Sequence, residues 1–310
     1  MRATRRSGAP ILRVGARGGC GFLRPIESCV IESAFTFARL MEPIGAAAPA
    51  NAALVEGFRH RPVIVLSPHF DDACFSLGGF LKALGHGILI NLFTHGRYVA
   101  QPRLARADLT QDAVRYVRDK EDRAFASACG LVRHDLECEE PPLRRRRPSQ
   151  MAGLPDDVAQ IEDKLLALLF ALAAESGTPS ALFVPLGVGR HVNHRAAAEA
   201  ILRNLARLQP FFEFYFYEEL PYASNVFHRL AALERLRHRV GGIRRHVFAA
   251  PWREKRALID LYQSQLRRSP SFFRFRPAAF PLAAHEAFWS LTKKDIKGDT
   301  PCSGTGPASS

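Results

Sequence analysis

Two short stretches of the chain gather the residue types that bind metals and move protons. One is Ser67-Pro68-His69-Phe70-Asp71-Asp72-Ala73, and the other is Gly187-Val188-Gly189-Arg190-His191-Val192-Asn193-His194-Arg195. Together they offer three imidazoles (His69, His191, His194) and two carboxylates (Asp71, Asp72). Imidazole nitrogen and carboxylate oxygen are zinc ligands, and catalytic zinc sites use three of them, leaving a fourth position to water or substrate. A plainer role exists for an Asp at a helix start, where it caps the helix and its charge is favoured. A cap accounts for one Asp. It does not account for two adjacent carboxylates that repel each other with a histidine beside them. His191 and His194 stand three apart, which on a helix places both imidazoles on one face with Cβ atoms about 5–6 Å apart.

The elements around these residues are legible in the same way. Val63–Leu66 is an unbroken apolar run that reads as a strand buried on both faces, as in a parallel sheet. A helical pattern follows from about Ala73 to Leu84. The second constellation repeats the arrangement: strand Ala181–Pro185, a glycine-containing turn, then a helix over Arg195–Leu208. Gly187 and Gly189 suit a tight turn or close approach to a ligand. Further strands are expected at Ile88–Thr94, Phe211–Tyr217 and His246–Ala249, with a weaker one near Asp135–Cys138. Further helices are expected at Asp119–Cys129, Asp156–Ala174 and Trp252–Leu266. Strands alternating with helices predict an α/β, Rossmann-like three-layer fold: a mainly parallel sheet, right-handed crossovers and flanking helices. Both constellations then sit at carboxyl ends of parallel strands, where such sheets bind ligands. If the two strands are neighbours, all five groups face one crevice.

The chain has 310 residues, enough for one large domain with a full core. Its formal charge is +13, carried mostly by arginine. No nucleic-acid motif accompanies the charge, so specific nucleic-acid binding is not expected. The run Arg144–Arg147 suits a phosphate group or an anionic membrane surface. The six cysteines are scattered without a Cys-x-x-Cys pair, which argues against a disulfide framework and for a reducing, cytoplasmic setting. Cys74 and Cys129 read as buried small hydrophobes. No uninterrupted apolar segment suggests a signal peptide or a membrane span. The turn after Leu66 has no Gly-x-Gly-x-x-Gly, so a dinucleotide site is not expected there. Residues 1–55 read as an extension, with 46–53 as small-residue linker, residues 56–292 as the domain, and 293–310 as a disordered tail. Loops at about 96–110 and 139–151 are long enough to be functional.

With both motifs in view, the chain resembles the PIG-L/LmbE-like family of zinc-dependent N-acetylglucosaminyl deacetylases. Pro68-His69-Phe70-Asp71-Asp72 is similar to that family's His-Pro-Asp-Asp-type motif, and His191-Val192-Asn193-His194 to its His-x-Asp-His motif. Further echoes are Arg118-Asp-Lys-Glu121, Tyr217-Glu-Glu-Leu-Pro-Tyr222 and Lys255 to Gln265, so the likeness runs over about residues 61–290. The resemblance implies that His69, Asp72 and His194 hold the metal, zinc or else ferrous iron. It implies that Asp71 is the general base, that His191 polarises the amide oxygen or stabilises the oxyanion, and that Arg118 faces the substrate. Read without the family, Arg118 would pair along its helix with Glu121 or Asp122. The implied reaction removes an N-acetyl group from an amino sugar or glycoconjugate, by attack of a metal-bound water on the amide. Candidate substrates include phosphorylated and lipid-linked amino sugars. Other readings are a different metal-dependent amide hydrolase on the same scaffold, or a basic binding module whose site has lapsed. Three positions depart from the pattern. Phe70 replaces the usual Pro, Ala73 a frequent Glu, and Asn193 the Asp of the second motif, so a charge that would support a histidine is missing.

Overall fold

The structure, a computed structural model, describes residues 47–100, 110–266 and 286–292. The expectations for residues 1–46, most of the basic loop near 96–110 and the 293–310 tail lie outside the described residues. In chain order the elements are α1 (Ala47–Glu56), β1 (Val63–Ser67), α2 (Asp72–Leu84), β2 (Gly87–Asn91), α3 (Gln111–Cys129), β3 (Leu131–Asp135), α4 (Leu154–Ser176), β4 (Ser180–Pro185), α5 (Val192–Arg203), β5 (Phe212–Tyr217), α6 (Val226–Val240), β6 (Ile243–Phe248), α7 (Trp252–Ile259) and β7 (Glu286–Leu291).

The strands form one sheet in the order β3-β2-β1-β4-β5-β7-β6. From β3 to β5 every pairing is parallel, and β7 runs antiparallel between β5 and β6. β1 and β4 are buried along their whole length, which is why each is an apolar run without alternation. They are hydrogen-bonded neighbours, with Val63 opposite Ala181. From β1 the chain moves outward to β2 and β3; from β4 it moves the opposite way to β5. The gap above β1 and β4 is therefore the topological switch point, where a crevice opens without any special device. The α/β class, the mainly parallel sheet and the flanking helices are as the sequence predicts.

Around α2 pack α1, α3 and α7, while α4 packs on α5 and α6 is tied to α5 through Arg239 and Glu199. The core is rich in rings: Phe58, Phe80, Phe183, Tyr215 and Phe288 meet with centroids 5.0–6.0 Å apart. A fully buried Phe contributes roughly 1.5–3 kcal/mol through its apolar area. Gly79 allows α2 to come close to this cluster, because a Cβ there would stand 2.7 Å from Ala250 Cβ. Buried Glu286 fixes the approach. It accepts hydrogen bonds from the Gly79 and Phe80 N–H groups and pairs with Lys255 at 2.7 Å.

Several expectations need correction. The segment expected as linker at 46–53 is largely the helix α1, held by Asn51, which bonds both N–H and C=O of Ala249. The weak strand forms at Leu131–Asp135 rather than 135–138. The helix expected to reach Leu266 ends at Ile259. Helix α6 and strand β7 were not anticipated. Among the described residues no helix is long and apolar enough to cross a membrane.

Candidate active site

The two constellations meet. Ser67 ends β1 and holds the turn that follows: its Oγ donates to His69 O and accepts from Ala73 N–H. Asp71 occupies the N-cap position of α2, yet its side chain makes no capping hydrogen bond. The capping role considered for these carboxylates is therefore not taken. Asp72 instead folds back, its Oδ2 accepting from the His69 backbone N–H at 2.9 Å. Across the crevice, Gly187 and Gly189 adopt φ of +74° and +85°, a left-handed turn that delivers His191 and His194 at the start of α5.

Asp72 Oδ2 is 3.0 Å from His69 Nδ1 and 3.3 Å from His194 Nε2. The ligand atoms of His69, His191 and His194 all lie within 4.8 Å of one another. His194 Nε2 is buried and lacks a hydrogen-bond partner. In a tetrahedral zinc site with bonds of about 2.0–2.1 Å, ligand atoms stand roughly 3.3 Å apart. The donor set and its spacing thus fit a divalent metal ion.

The electrostatics divide the two carboxylates. Burial alone would raise Asp72, but the charge of His194 and the hydrogen bonds from His69 outweigh it and hold the carboxyl well below its usual range. Asp71 moves the other way: burial raises it, Asp72 raises it further, and Arg118 and His69 only partly compensate. Its side chain keeps 16% exposure against 6% for Asp72, so Asp71 is the carboxylate that faces the opening. Burial, then the neighbouring His69 and His194, push His191 well below the ordinary histidine range, so it stays neutral. For His194, burial is outweighed by Asp72 and Glu219, and its pKa rises.

Arg118 is buried and reaches Asp71 at 3.7 Å and Glu140 at 2.6 Å. It pairs with neither Glu121, which holds Ser264, nor Asp122, which bonds Asn91 and Tyr262. Phe70 has a structural part here: the guanidinium carbons of Arg118 and Arg133 lie 5.8 and 5.5 Å from its ring centre. The ring that replaces the pattern's Pro therefore helps seat Arg118.

Two contacts, those of Glu219 and Tyr222, were not anticipated. Glu219, fully buried, accepts from Gly187 N–H at 2.8 Å and Val188 N–H at 3.1 Å and stands 3.3 Å from His194 Nδ1. A carboxylate behind a ligating histidine fixes its tautomer and raises its basicity. The only sequence signal for it was the echo Tyr217–Tyr222. The Tyr222 ring meets His194 edge-on at 5.1 Å. Asn193 Nδ2 is 3.0 Å from His69 Nε2, and Asn193 Oδ1 has no partner. A half-turn of that amide would offer Oδ1 to a protonated Nε2, leaving Nδ1 bare beside Asp72. The Arg144–Arg147 run is only half available. Arg144 pairs with Asp157, Arg146 with Asp156 and Asp157, while Arg145 and Arg147 are exposed. The loop is tied to the site where Val192 N–H bonds Pro148 O at 2.8 Å.

No family model matches the chain. It is 28% identical over 184 residues to 2'-N-acetylparomamine deacetylase of Streptomyces fradiae, a match spanning 58% of this chain and 64% of that protein. Its fold is similar to that of the A40926 pseudoaglycone deacetylase Dbv21, with a TM-score of 0.53 at 19% identity over 77% of this chain and all of the other. It is also similar to N,N'-diacetylchitobiose deacetylase from Pyrococcus horikoshii, with a TM-score of 0.50 at 14% identity over 87% and 94% of the two chains. The resemblance to PIG-L/LmbE-like deacetylases, first drawn from the two motifs, is borne out by these likenesses.

Proposed function

We propose that the protein is a metal-dependent N-deacetylase, hydrolysing the acetamide of an N-acetylated amino sugar or glycoconjugate to a free amine and acetate. The observation that carries this reading is the convergence of His69, Asp72 and His194 on one point, with Asp71 beside them and the neutral imidazole of His191 within ring contact of His69 and His194. The related paromamine-derivative deacetylase supports the amino-sugar substrate. His69, Asp72 and His194 would hold the ion, zinc by preference and ferrous iron as the alternative. When bound, such an ion acidifies water and polarises an amide carbonyl.

The chain's own residues supply the proton transfers. Asp71, at the opening, takes a proton from the attacking water. Its raised pKa suits that task better than the depressed pKa of Asp72. As the new C–O bond forms and the C–N bond breaks, the proton passes to the departing amine. His191 Nδ1 is buried without a partner, so a neutral His191 can hydrogen-bond the amide oxygen or assist the amine. Arg118, fixed between Glu140 and the Phe70 ring, holds Asp71 in place and lines the substrate side. Exposed Arg145 and Arg147 are the two arginines of the run left to meet a phosphorylated or lipid-linked acceptor. Buried free Cys74, Cys129 and Cys138 support a reducing, cytoplasmic setting.

The test pairs metal content with amine release from N-acetylglucosamine derivatives in the wild type, His194→Ala and Asp71→Asn. The expected result is about one bound metal and metal-dependent amine release in the wild type. His194→Ala should lose both, and Asp71→Asn should keep the metal but lose at least 100-fold in turnover, in line with general-base contributions of about 10²–10⁴. A wild type that binds metal but releases no amine would move the reading to another amide or to a lapsed site. A reconstituted protein without metal would overturn it.

A further inference from the structure

A second cleft, of about 250 Å³, lies between α5 and α6 over the ends of β4 and β5, and none of His69, His191 and His194 lines it. Its apolar lining includes Leu186, Phe216 and Leu236. Its polar lining is Arg195, Arg235, Arg239 and His238, with Glu199 as the one carboxylate; His238 Nε2 stands 3.1 Å from Glu234. Glu199 is already shared by Arg239 at 3.2 Å and Arg203 at 3.1 Å. Arg195 makes no side-chain hydrogen bond or ion pair among the described residues, and Arg235 bonds only the Gly187 carbonyl, at 2.9 Å. Two half-buried guanidinium groups therefore share this cleft without an ion pair of their own among the described residues, and the carboxylates that act on them through charge are Glu199 and Glu219. Burial and the charge of Arg195 bring Arg235 down to about 10, with Glu219 opposing only in part. The stem of Arg195 lies across Gly187, where a Cβ would stand 2.9 Å from its Cδ, and its side chain lines the cleft.

We propose that this cleft is a binding site for a small organic oxyanion, a carboxylate or phosphate monoester. Its charged group would sit between Arg195 and Arg235 and its apolar body on Leu186, Phe216 and Leu236. Arginine presents paired donors that match such oxyanions, and an apolar floor with a few convergent polar groups is the usual form of a small-molecule site. The volume lies just under the roughly 300 Å³ where drug-sized sites begin, which limits the ligand to a small one. The site is separate from the proposed deacetylation centre, because none of His69, Asp71, Asp72, His191 and His194 lines it. It does not depend on that activity.

The experiment is calorimetric titration of the metal-loaded protein with inorganic phosphate, phenyl phosphate and benzoate, at fixed ionic strength. The wild type is compared with Arg235→Gln, Arg235→Lys and Arg195→Gln, and thermal melts in chloride check that each variant folds. Phenyl phosphate or benzoate should bind more tightly than inorganic phosphate. Either glutamine variant should weaken that binding about tenfold or more, as expected for losing charge-assisted hydrogen bonds, and Arg235→Lys should weaken it less. Affinities unchanged in both glutamine variants would place the anion elsewhere, at the metal included, and overturn the proposal. So would the absence of saturable binding of all three probes to the wild type.

Discussion

Glu219 is the sharpest place to test how the site is built. Glu219→Gln keeps an oxygen for the N–H groups of Gly187 and Val188, and changes the side-chain volume little. It removes the negative charge 3.3 Å from His194 Nδ1. It also puts an amide NH₂ where Oε2 now lies, a buried atom without a hydrogen-bond partner. Leaving that NH₂ unsatisfied costs about 1–3 kcal/mol of stability, so the variant should fold with a lowered Tm. The larger consequence is on the ion. Losing a carboxylate behind a ligating histidine typically costs 10–100-fold in metal affinity, or roughly 1.4–2.7 kcal/mol. Competition of the apo-protein against a chelator of known affinity measures this directly, and circular dichroism confirms the fold. The reasoning fails if the folded variant binds metal within a factor of two of the wild type. It also fails if affinity drops but Glu219→Ala drops it no further, since alanine additionally releases the Gly187 turn.

Asn193→Asp should restore a charged acceptor 3.0 Å from His69 Nε2 and raise metal affinity by about tenfold, while the buried charge lowers the Tm of the metal-free form. A chelator competition that shows equal or weaker affinity would refute the role given to this side chain. Asp122 predicts a pH dependence of stability. Burial raises its carboxyl from 3.8 to about 7, against opposing contacts with Tyr262, Arg133 and Asn91. A folded pKa above the unfolded one means the native state binds the proton more tightly. This contribution is therefore favourable at low pH and is lost as pH rises from about 4 to about 7, by roughly 4 kcal/mol in all. Denaturant midpoints of wild type and Asp122→Asn across pH 4–8 should diverge in slope over that window, with the variant flatter. Parallel curves would count against it.

Much of this protein was legible in the chain itself. Val63–Leu66 and Ala181–Pro185 are apolar without alternation because parallel central strands are covered on both faces, and that pattern survives in sequence. His69, Asp71, Asp72, His191 and His194 stand at the two handovers from strand to helix, so their meeting needed only that β1 and β4 be neighbours. What the sequence hid was set by partners far away along the chain. Glu286 looks like a charge breaking an apolar run; only the fold brings Lys255 and the α2 backbone to its side chain, while pairing with β5 and β6 makes β7 a strand. Arg118 has acidic residues at helical spacing, yet it turns to Glu140 and Asp71, because Glu121 and Asp122 are taken by Ser264, Asn91 and Tyr262. The run Arg144–Arg147 looks like one basic patch, but Asp157 draws two of its members inward. Glu219 showed in the sequence only as part of the echo Tyr217–Tyr222, with no sign of its role. It matters because β5 ends beside β4, and that adjacency is a property of the sheet and not of any one segment.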